Sequence, residues 1–595
     1  MKIIASTLNA KYIHTNLAIR YLKAFAAPEF DIELAEYTIK DPSMNIVTDL
    51  YSKKPDVIGF SCYIWNIEET IKVVKMLKKI NSDLVIVLGG PEVTYDTSEW
   101  LERLPEVDFI VIGEGEQTFK ELLVQLSSEK DFSQVGGIGY LSEGKININP
   151  IRKKLDLREL PSPFRFEEDK KHLSKRVTYI ETSRGCPFSC QFCLSSIEVG
   201  VRYFDREKVK EDIRYLMAHG AKTIKFVDRT FNISRSYAME MFQFLIDEHL
   251  PGTVFQFEIT ADIMRPEVIQ FLNEQAPPDL FRFEIGVQST NDATNELVKR
   301  KQNFNKLKRT VTMVKEGGKI DQHLDLIAGL PEEDYASFRN TFNDVFEMRP
   351  EELQLGFLKM LRGTGLRLRA KEHDYIFMDH SPYEILGNNV LSFDDIMRIK
   401  QVEDVLEKYW NDHRFDQTVE YLVTRVFPSG FDFFQEFGTF WDKQGWSRIG
   451  HQLEDLFTRL TAFLTQRSTN DLDVIKGLMK YDYLLHQKYK PRKPWWNDHV
   501  SKQERAEIYM RIIETPTLLG EEYSELKLKE KDLYKHTVVE QIPFDLTAYL
   551  MDGQIIKKDS HIIVYFDPIH HESKIFYNGD LPTNKGLGID EKYQH

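Results

Sequence analysis

The N-terminal part of the chain alternates short apolar strands with amphipathic helices. Five strands are predicted at residues 2–6, 32–37, 56–61, 84–88 and 109–112, and helical segments separate them. Strands that alternate with helices in this way are typical of a sheet covered by helices on both faces. The pattern therefore predicts a doubly wound, flavodoxin-like α/β domain over residues 1–135.

A second series of strands and helices follows after residue 173. Its six strands are predicted at residues 178–182, 223–228, 254–259, 280–287, 324–329 and 353–358. One of the intervening helices runs from Asp205 to about His219 and is closed by Gly220, which is a residue that commonly ends helices. This series predicts a second α/β domain over residues 174–395.

The remaining segments differ from these two domains in composition and in predicted secondary structure. Residues 136–173 are predicted as a hairpin followed by an extended, proline-containing linker at 160–164. After residue 395, charged and aromatic helices such as 393–409 and 449–466 dominate, and a short hairpin is predicted at 561–566 and 574–577. We therefore expect a mainly helical third domain over residues 396–595.

Composition narrows the class of protein. The chain has 78 basic and 93 acidic residues, a net charge of -15, which argues against a general nucleic-acid or acidic-membrane surface. It begins without a secretory apolar segment, contains no apolar run of transmembrane length and has only 4 cysteines. These features predict a cytoplasmic protein in a reducing compartment. We find no long repeat, Walker loop or Ser-His-Asp signal.

Three cysteines stand close together in the segment Arg184-Gly185-Cys186-Pro187-Phe188-Ser189-Cys190-Gln191-Phe192-Cys193. A [4Fe-4S] cube has four iron corners, so a loop with three thiolates leaves one iron open to a small molecule. The alternative is a structural zinc site, which needs a fourth protein ligand nearby. His172 lies well upstream, and Ser195 and Ser196 are poor zinc ligands. The spacing therefore favours an iron–sulfur cluster.

This C-x3-C-x2-C loop, with Phe192 before its last cysteine, resembles that of the radical S-adenosylmethionine (SAM) superfamily. The resemblance implies that Cys186, Cys190 and Cys193 bind the cluster and that Phe192 lies against the adenine of SAM. It further implies that the amino and carboxylate groups of SAM chelate the open iron, and that one-electron reduction yields a 5′-deoxyadenosyl radical. A reductase such as flavodoxin or ferredoxin would supply the electron. The count of six strands fits the partial (β/α)6 barrel of this superfamily.

Polar residues follow the predicted barrel strands at their carboxyl ends, which is where parallel barrels bind their ligands. The candidates for binding SAM are Asp228, Glu258, Glu284 and Gln288. For any one of the carboxylates, the alternative is capping of the next helix. Arg362, after the sixth strand, could bind the carboxylate of SAM or a substrate anion.

The strand ends of the N-terminal domain resemble the cobalamin-binding domain that precedes many radical SAM barrels. The residues that carry this resemblance, and that it implies as cobalamin contacts, are Ser61, Cys62, Gly89, Gly90, Gly113, Glu114 and Gly115. Paired glycines let a bulky flat ligand approach the backbone. Cys62 could instead be a small buried apolar residue. The Asp-x-His-x-x-Gly loop of other cobalamin proteins is missing, and His14 is the candidate axial ligand of cobalt, with an ordinary position before a helix as the alternative.

The resemblance implies an enzyme that uses a [4Fe-4S] cluster, SAM and cobalamin to methylate an unactivated carbon of a small molecule. Two alternatives stay open: a cobalamin-using radical cyclisation or rearrangement without methyl transfer, and a non-catalytic iron–sulfur binding or sensor protein. Three of the 4 cysteines serve one cluster, so a second cysteine-ligated cluster is not available. The C-terminal region resembles the uncharacterised extension of one subgroup of these enzymes. The sequence does not identify which side chains are catalytic.

Overall fold

The fold is described from a computed structural model, which covers residues 1–128, 130–197, 200–497, 500–519, 523, 529–567 and 573–577. The strands within these ranges are β1 Ile3–Asn9, β2 Ile32–Thr38, β3 Val57–Ser61, β4 Val85–Gly89, β5 Phe109–Val111, β6 Ile138–Ser142, β7 Lys145–Ile148, β8 Val177–Ile180, β9 Ser183–Arg184, β10 Arg202–Tyr203, β11 Thr223–Phe226, β12 Val254–Ile259, β13 Phe281–Gln288, β14 Ile320–Ala328, β15 Glu352–Phe357, β16 Ile376–Phe377, β17 Ile385–Gly387, β18 Thr537–Ile542, β19 Ser560–Phe566 and β20 Ser573–Tyr577.

Helices connect most of these strands. They are α1 Leu17–Ala26, α2 Ser43–Ser52, α3 Ile67–Ile80, α4 Pro91–Thr94, α5 Thr97–Arg103, α6 Glu116–Ser127, α7 Glu167–Lys170, α8 Arg206–Ala218, α9 Arg235–Glu248, α10 Pro266–Gln275, α11 Asp292–Leu297, α12 Phe304–Gly317, α13 Tyr335–Phe346, α14 Gly365–Leu368, α15 Phe393–Leu406, α16 Asp416–Tyr421, α17 Gly430–Lys443, α18 Leu453–Gln466, α19 Leu472–Leu485, α20 Lys502–Glu514, α21 Glu530–His536 and α22 Leu546–Asp552. None of the described helices combines the length and apolar character needed to cross a bilayer.

The first sheet has seven strands in the order β2-β1-β3-β4-β5-β6-β7. Its first five strands are parallel, whereas β6 pairs antiparallel with β5 and β7 pairs antiparallel with β6. Ile4 and Leu8 pack into the core on one face, and Ile3 and Ala5 pack into the core on the other, because successive side chains of a strand point in opposite directions. The predicted doubly wound domain is confirmed, and the predicted hairpin at 136–148 joins its sheet.

The second sheet consists of six strands in the order β15-β14-β13-β12-β11-β8, with parallel pairing from β8 to β14. Side chains alternate strictly along it. On β12, for example, Phe255 and Phe257 are fully buried, whereas Gln256 and Glu258 are half-buried. The apolar set packs under the surrounding helices, and the polar set lines the opposite face of the curved sheet. This is the predicted partial barrel, with a polar interior in place of the usual branched apolar filling.

The chain divides into two compact units: Met1–Pro350 with Gln354–Ile396, and Glu351–Leu353 with Met397–His595. The second unit is mainly helical in its described part and contains an antiparallel sheet in the order β18-β19-β20. Asp482 is fully buried there and accepts hydrogen bonds from Thr418 N at 2.8 Å and Gln417 N at 3.3 Å. The predicted C-terminal hairpin corresponds to β19 and β20, and residues 568–572 between them lie outside the described residues.

Candidate functional site

A cavity of about 730 Å³ lies where the carboxyl ends of both sheets of the first unit meet. From the first sheet it is lined by Ser61, Gly89, Gly90 and residues 113–116, and from the barrel by residues 181, 183–185, 194, 195, 227 and 229. Its volume is in the upper part of the range of small-molecule and cofactor sites, about 300–1,000 Å³. Doubly wound sheets and barrels both bind their ligands at these strand ends. The cavity is therefore shared by two ligand-binding edges.

Gly90 gives the cavity its open wall beside β4. Its φ is 106°, and a Cβ at this residue would lie 2.6 Å from Cys62 O, so no other residue fits here without strain. Tyr63 and Trp65 also line the cavity, and their rings stack with centroids 4.3 Å apart and an interplanar angle of 7°. Trp65 is half exposed. Glycine backbone and a flat aromatic pair suit a large planar ligand such as a corrin.

Cys62, which was predicted to contact cobalamin, does not line the cavity. Its side chain is fully buried, and Sγ lies 3.6 Å from Phe60 O. Burial raises the pKa of this thiol well above its usual value. The residue behaves as the small buried apolar side chain that was the alternative.

His14 lines the cavity and connects the two sheets. It forms a parallel bridge with Val177, the first residue of β8, and its Nδ1 lies 2.7 Å from the hydroxyl of Tyr179. Burial, followed by the charges of Lys11 and Lys225, lowers the pKa of His14. Burial thus favours the neutral imidazole, and Nδ1 contacts the Tyr179 hydroxyl. Its assignment as axial ligand stays a prediction.

The cysteine loop leaves the barrel after β9 with a sharp turn at Gly185. A Cβ at this residue would lie 2.1 Å from Gly200 O. Cys186 and Cys190 are buried, Cys193 is half-buried, and all are free thiols. Burial raises the pKa of the Cys186 and Cys190 thiols, and the nearby charge of Arg300 opposes this for Cys190.

The donor set of this loop suits a cluster better than a single ion. Within the described part of the chain, no three His, Cys, Asp or Glu side chains converge as ligands of one metal ion would. A cubane spreads its thiolate ligands over separate iron corners and does not require that convergence. The three thiols share one loop, and each is close enough to influence the charge of another. The residues present fit a [4Fe-4S] cluster with one open corner.

The residues predicted to bind SAM have different surroundings. Asp228 is buried and accepts hydrogen bonds from Thr182 N at 3.0 Å and Thr182 Oγ1 at 2.7 Å, so it supports the base of the cysteine loop. Glu284 accepts hydrogen bonds from Lys225 Nζ at 2.6 and 2.7 Å. Both carboxylates are already engaged by protein groups, and neither lines the cavity.

Glu258 and Gln288 do not line the cavity either, and they differ from the first two residues in the surroundings of their polar atoms. Burial raises the pKa of Glu258, with the charge of Arg229 acting in the opposite direction. Gln288 has a left-handed backbone, with φ 67°, and its buried Oε1 has no hydrogen-bond partner. A buried acceptor without a donor is costly, so this atom fits a donor group of a bound molecule such as SAM. Phe192 is half-buried within the loop, and its contact with adenine stays a prediction.

Arg362 has a different role from the predicted one. Its guanidinium pairs with Glu99 at 2.9 Å and Asp96 at 3.0 Å, and it lies over Trp100. The side chain is 4% exposed and does not line the cavity. Since its charge is already compensated by two carboxylates of the N-terminal domain, Arg362 joins the segment after β15 to α5 and is not an anion site.

A buried carboxyl completes this contact. Glu92, on α4, accepts a hydrogen bond from the hydroxyl of Tyr383, and Arg362 Nε lies 3.7 Å from it. Burial raises the pKa of Glu92 to about 7, against the opposing effects of Tyr383 and Arg362. This contact has no local signal in the sequence, because its partners lie nearly 300 residues apart.

Two arginines beside the cysteine loop, Arg184 and Arg202, were not among the predicted site residues. Arg184 Nη2 donates to Glu116 Oε1 at 2.7 Å, and Arg202 pairs with Glu114. Glu114 was predicted to contact cobalamin, yet its carboxylate is bound by these arginines. Arg184 stands two residues before the first cysteine, which is the signal that would have drawn attention to it.

Three family models match the chain, one for each predicted region. A B12 binding domain matches residues 3–123, the Radical SAM superfamily matches residues 180–345, and a protein of unknown function, DUF4080, matches residues 371–565. The chain therefore carries, in this order, regions that match a B12 binding domain, the Radical SAM superfamily and DUF4080.

Two similar proteins are methyltransferases by name. The uncharacterized methyltransferase PH0819 of Pyrococcus horikoshii is 31% identical over 233 residues, which are 38% of this chain and 51% of that protein. The cobalamin-dependent radical SAM methyltransferase TokK of Streptomyces tokunonensis is 28% identical over 341 residues, 54% of this chain and 49% of that protein. The chain thus spans about half the length of the curated relatives it matches.

A solved structure supports the fold. The cobalamin-dependent S-adenosylmethionine radical enzyme OxsB, with aqua-cobalamin and S-adenosylmethionine bound, superposes with a TM-score of 0.53 at 18% identity. The match covers 80% of this chain and 78% of that chain. At this identity the likeness concerns the fold alone.

Proposed function

We propose that this chain is a cobalamin-dependent radical SAM enzyme that methylates an unactivated carbon of a small polar molecule. In such enzymes the cluster, SAM and cobalamin together supply one-electron cleavage of SAM and a methyl group for transfer. The named relatives that support methyl transfer align over about half of their own lengths, so the substrate and the reaction of the whole protein belong to this proposal.

One observation carries the proposal: a single cavity borders both the glycine-rich strand ends of the B12-binding domain and the start of the cysteine loop. A reactive carbon radical abstracts hydrogen from any group within reach, so its source and its target must share one enclosed space. Gly90, Gly113 and Gly185 all line this space. A corrin and a cluster bound at these two edges would face each other across it.

The chain's own residues have distinct tasks in this scheme. Cys186, Cys190 and Cys193 would hold the cluster, and the stacked Tyr63 and Trp65 would support a planar ligand. Gln288 Oε1 would accept a hydrogen bond from SAM.

The barrel interior indicates a polar substrate. Lys225, Gln256 and Arg282 lie side by side in one row across the sheet, and Glu258 and Glu284 lie side by side in the next. These side chains are half-buried, so they would be desolvated by an apolar substrate without compensation. A substrate with hydroxyl, amino or carboxylate groups can replace the water that they lose.

Two requirements concern the surroundings of the enzyme. We propose that a flavodoxin or ferredoxin reductase supplies the low-potential electron. We also propose that the protein works in the cytoplasm, since three of its 4 cysteines are assigned to the cluster as thiolates, and thiolates persist in reducing compartments.

The test is anaerobic turnover with metabolite extract as the source of substrate. The reconstituted enzyme should produce 5′-deoxyadenosine, S-adenosylhomocysteine and a product heavier by one methyl group. Cys190→Ala should abolish the cleavage of SAM, because a cluster needs all three thiolates. Cys62→Ala is the matched control and should keep it, because Cys62 lies outside the cavity.

Two outcomes would contradict the proposal in different ways. Formation of 5′-deoxyadenosine without S-adenosylhomocysteine would indicate a rearrangement in place of methylation. Cleavage of SAM by a variant that lacks all three loop cysteines would remove the cluster assignment itself.

A further inference from the structure

The two glutamates of the turn at residues 113–116 bind arginines that bracket the cysteine loop. Arg184, two residues before Cys186, donates to Glu116 Oε1 at 2.7 Å and lies 3.5 Å from Glu114 Oε1. Arg202 pairs with Glu114 and donates to Leu155 O at 2.8 Å. The side chains of Arg184 and Glu116 are 15% and 6% exposed. This contact therefore joins the B12-binding domain to the entrance and exit of the loop.

The two arginines face each other across a short antiparallel ladder. β9 and β10 pair Arg202 with Arg184 and Tyr203 with Ser183, and this ladder closes the base of the loop. Like charges directly opposite each other destabilise such a pair of strands. Compensating charge comes from Glu181 within the barrel and from Glu114 and Glu116 of the other domain. The base of the cysteine loop is thus completed by carboxylates from the B12-binding domain.

The same turn is a wall of the cavity. Gly113, Glu114, Gly115 and Glu116 all line it, so a ligand seated there would contact the turn. An ordered turn holds the carboxylates in place for the arginines, and the arginines hold the strand ends from which the loop leaves. The pairs of Glu116 with Arg184 and of Glu114 with Arg202 thus connect the cavity wall to the strands that flank the cysteine loop.

We propose that Arg184 and Arg202, held by Glu116 and Glu114, are positioning residues that couple occupancy of the cavity to the order of the cysteine loop. The proposal deepens the proposed function and rests on it only for the identity of the occupant. Ordering shared by two sites makes each ligand bind more tightly when the other is present. The coupling must be reciprocal, because it is an equilibrium property.

The first experiment needs no cofactor. Hydrogen exchange of backbone amides in residues 183–197 is measured in the full chain and in Glu116→Gln, which removes the charge and keeps the shape. We expect exchange in the variant to be faster by about five-fold or more, the lower end of typical coupling effects. Glu248→Gln, which breaks an exposed pair with Arg214 on the barrel helices, is the control and should leave this segment unchanged.

The second experiment measures the coupling. The dissociation constant of hydroxocobalamin is determined for the full chain with and without the reconstituted cluster. In the wild type, the cluster should tighten binding by about five-fold or more, whereas in Glu116→Gln the ratio should be close to one. Equal ratios in both proteins would overturn the proposal, and so would unchanged hydrogen exchange in the first experiment.

Additional measurements distinguish failure of this proposal from misfolding of the variant and from failure of the proposed function. Circular dichroism establishes that Glu116→Gln folds, and Glu114→Gln, which uncovers Arg202, replaces it if it does not. A wild type that retains no hydroxocobalamin would overturn the proposed function. The exchange experiment would still decide whether the carboxylates order the loop.

Discussion

At some positions of the first unit, the backbone conformation and the neighbouring atoms permit only glycine. Gly90 is one example, because its backbone conformation is open only to glycine and a Cβ would meet Cys62 O. Gly113 also has positive φ, at 79°, but a Cβ there would meet nothing within 4 Å. The two glycines of the same cavity wall therefore separate the cost of conformation from the cost of a clash.

Gly90→Ala should destabilise the N-terminal domain much more than Gly113→Ala. We expect a loss of about 2–4 kcal/mol for the first from strain and clash together, and about 1 kcal/mol for the second from its left-handed backbone alone. Urea unfolding of the cofactor-free protein measures both. Equal losses would show that the close approach to Cys62 relaxes without cost.

Asp482 predicts a pH dependence in the second unit. Burial raises its pKa to about 7, against the opposing hydrogen bonds of Thr418 and Gln417. Between about pH 4 and pH 7 the folded state therefore holds a proton that the unfolded state has lost. Stability should fall as pH rises through this range, by an amount on the order of a few kcal/mol, and should level off above pH 7.

Asp482→Asn should remove this dependence, because a neutral amide has no proton to lose. The measurement is hydrogen exchange of the α16 and α19 amides between pH 4.5 and 8, corrected for the intrinsic effect of pH on exchange. A wild-type slope that persists in Asp482→Asn would assign the dependence to another group.

Site residues could be predicted from the sequence where the signal lies in one short segment. The cysteine spacing pointed to a cluster loop, and Gly89 and Gly90 pointed to a cavity wall, because each signal lies within ten residues. The roles of Glu114 and Arg362 could not be predicted. Each depends on a partner at least 70 residues away in sequence, and sequence periodicity gives no information on such pairs.

At the scale of elements, strands were easier to predict than their partners. Every predicted strand of the first unit exists, with ends shifted by a few residues, because runs of buried apolar residues bounded by turns are a strong signal. β14 begins at Ile320, four residues before the predicted start, since His323 and Asp321 obscured an alternating pattern. The pairing of the 136–148 hairpin with β5 had no sequence signal.

The segment after β15 should stabilise the position of α5 through the ion pairs of Arg362. Arg362→Met removes the guanidinium that pairs with the half-exposed Glu99 and Asp96 and lies 3.7 Å from the buried Glu92, so it should loosen this contact. We expect faster hydrogen exchange in α5 and easier proteolysis of the connection at residues 149–172. Arg206→Met, which loses an exposed pair with Glu240 and a contact with the Tyr237 ring, is the matched control and should change neither.

An unchanged α5 in Arg362→Met would mean that apolar packing alone holds these elements together. Tyr383→Phe then provides a second measurement, since it removes the hydrogen bond to Glu92 and keeps the ring. A buried carboxyl without its donor should raise the exchange of α4 and α5 in the same direction.

At the scale of the whole molecule, the cavity at the two sets of strand ends belongs to the first unit alone. All its lining residues lie between Asn9 and Arg229, and the boundary between the compact units falls after Ile396. A chain that ends at residue 396 should therefore retain hydroxocobalamin as the full chain does. Visible spectroscopy after gel filtration checks this.

Product formation should respond differently to that truncation. If the DUF4080 domain shields the reaction or holds the substrate, 5′-deoxyadenosine should form without matching product. Wild-type coupling in the truncated chain would instead favour a separate role for this domain in binding a partner.

The bridge from His14 to β8 has a consequence for the order of events during synthesis. β8 is the edge strand of an open barrel, and exposed edge strands invite pairing with other chains. Val177 N donates to Ile13 O at 2.8 Å, and Thr15 Oγ1 donates to Val177 O across 162 residues. The ribosome therefore releases the partner of this edge long before the edge itself, and domains fold from the N-terminus as they emerge. The N-terminal domain would therefore be folded before β8 is synthesised, and β8 could pair with it at once. In a circular permutant in which residues 1–148 are synthesised last, β8 would stay exposed and could aggregate.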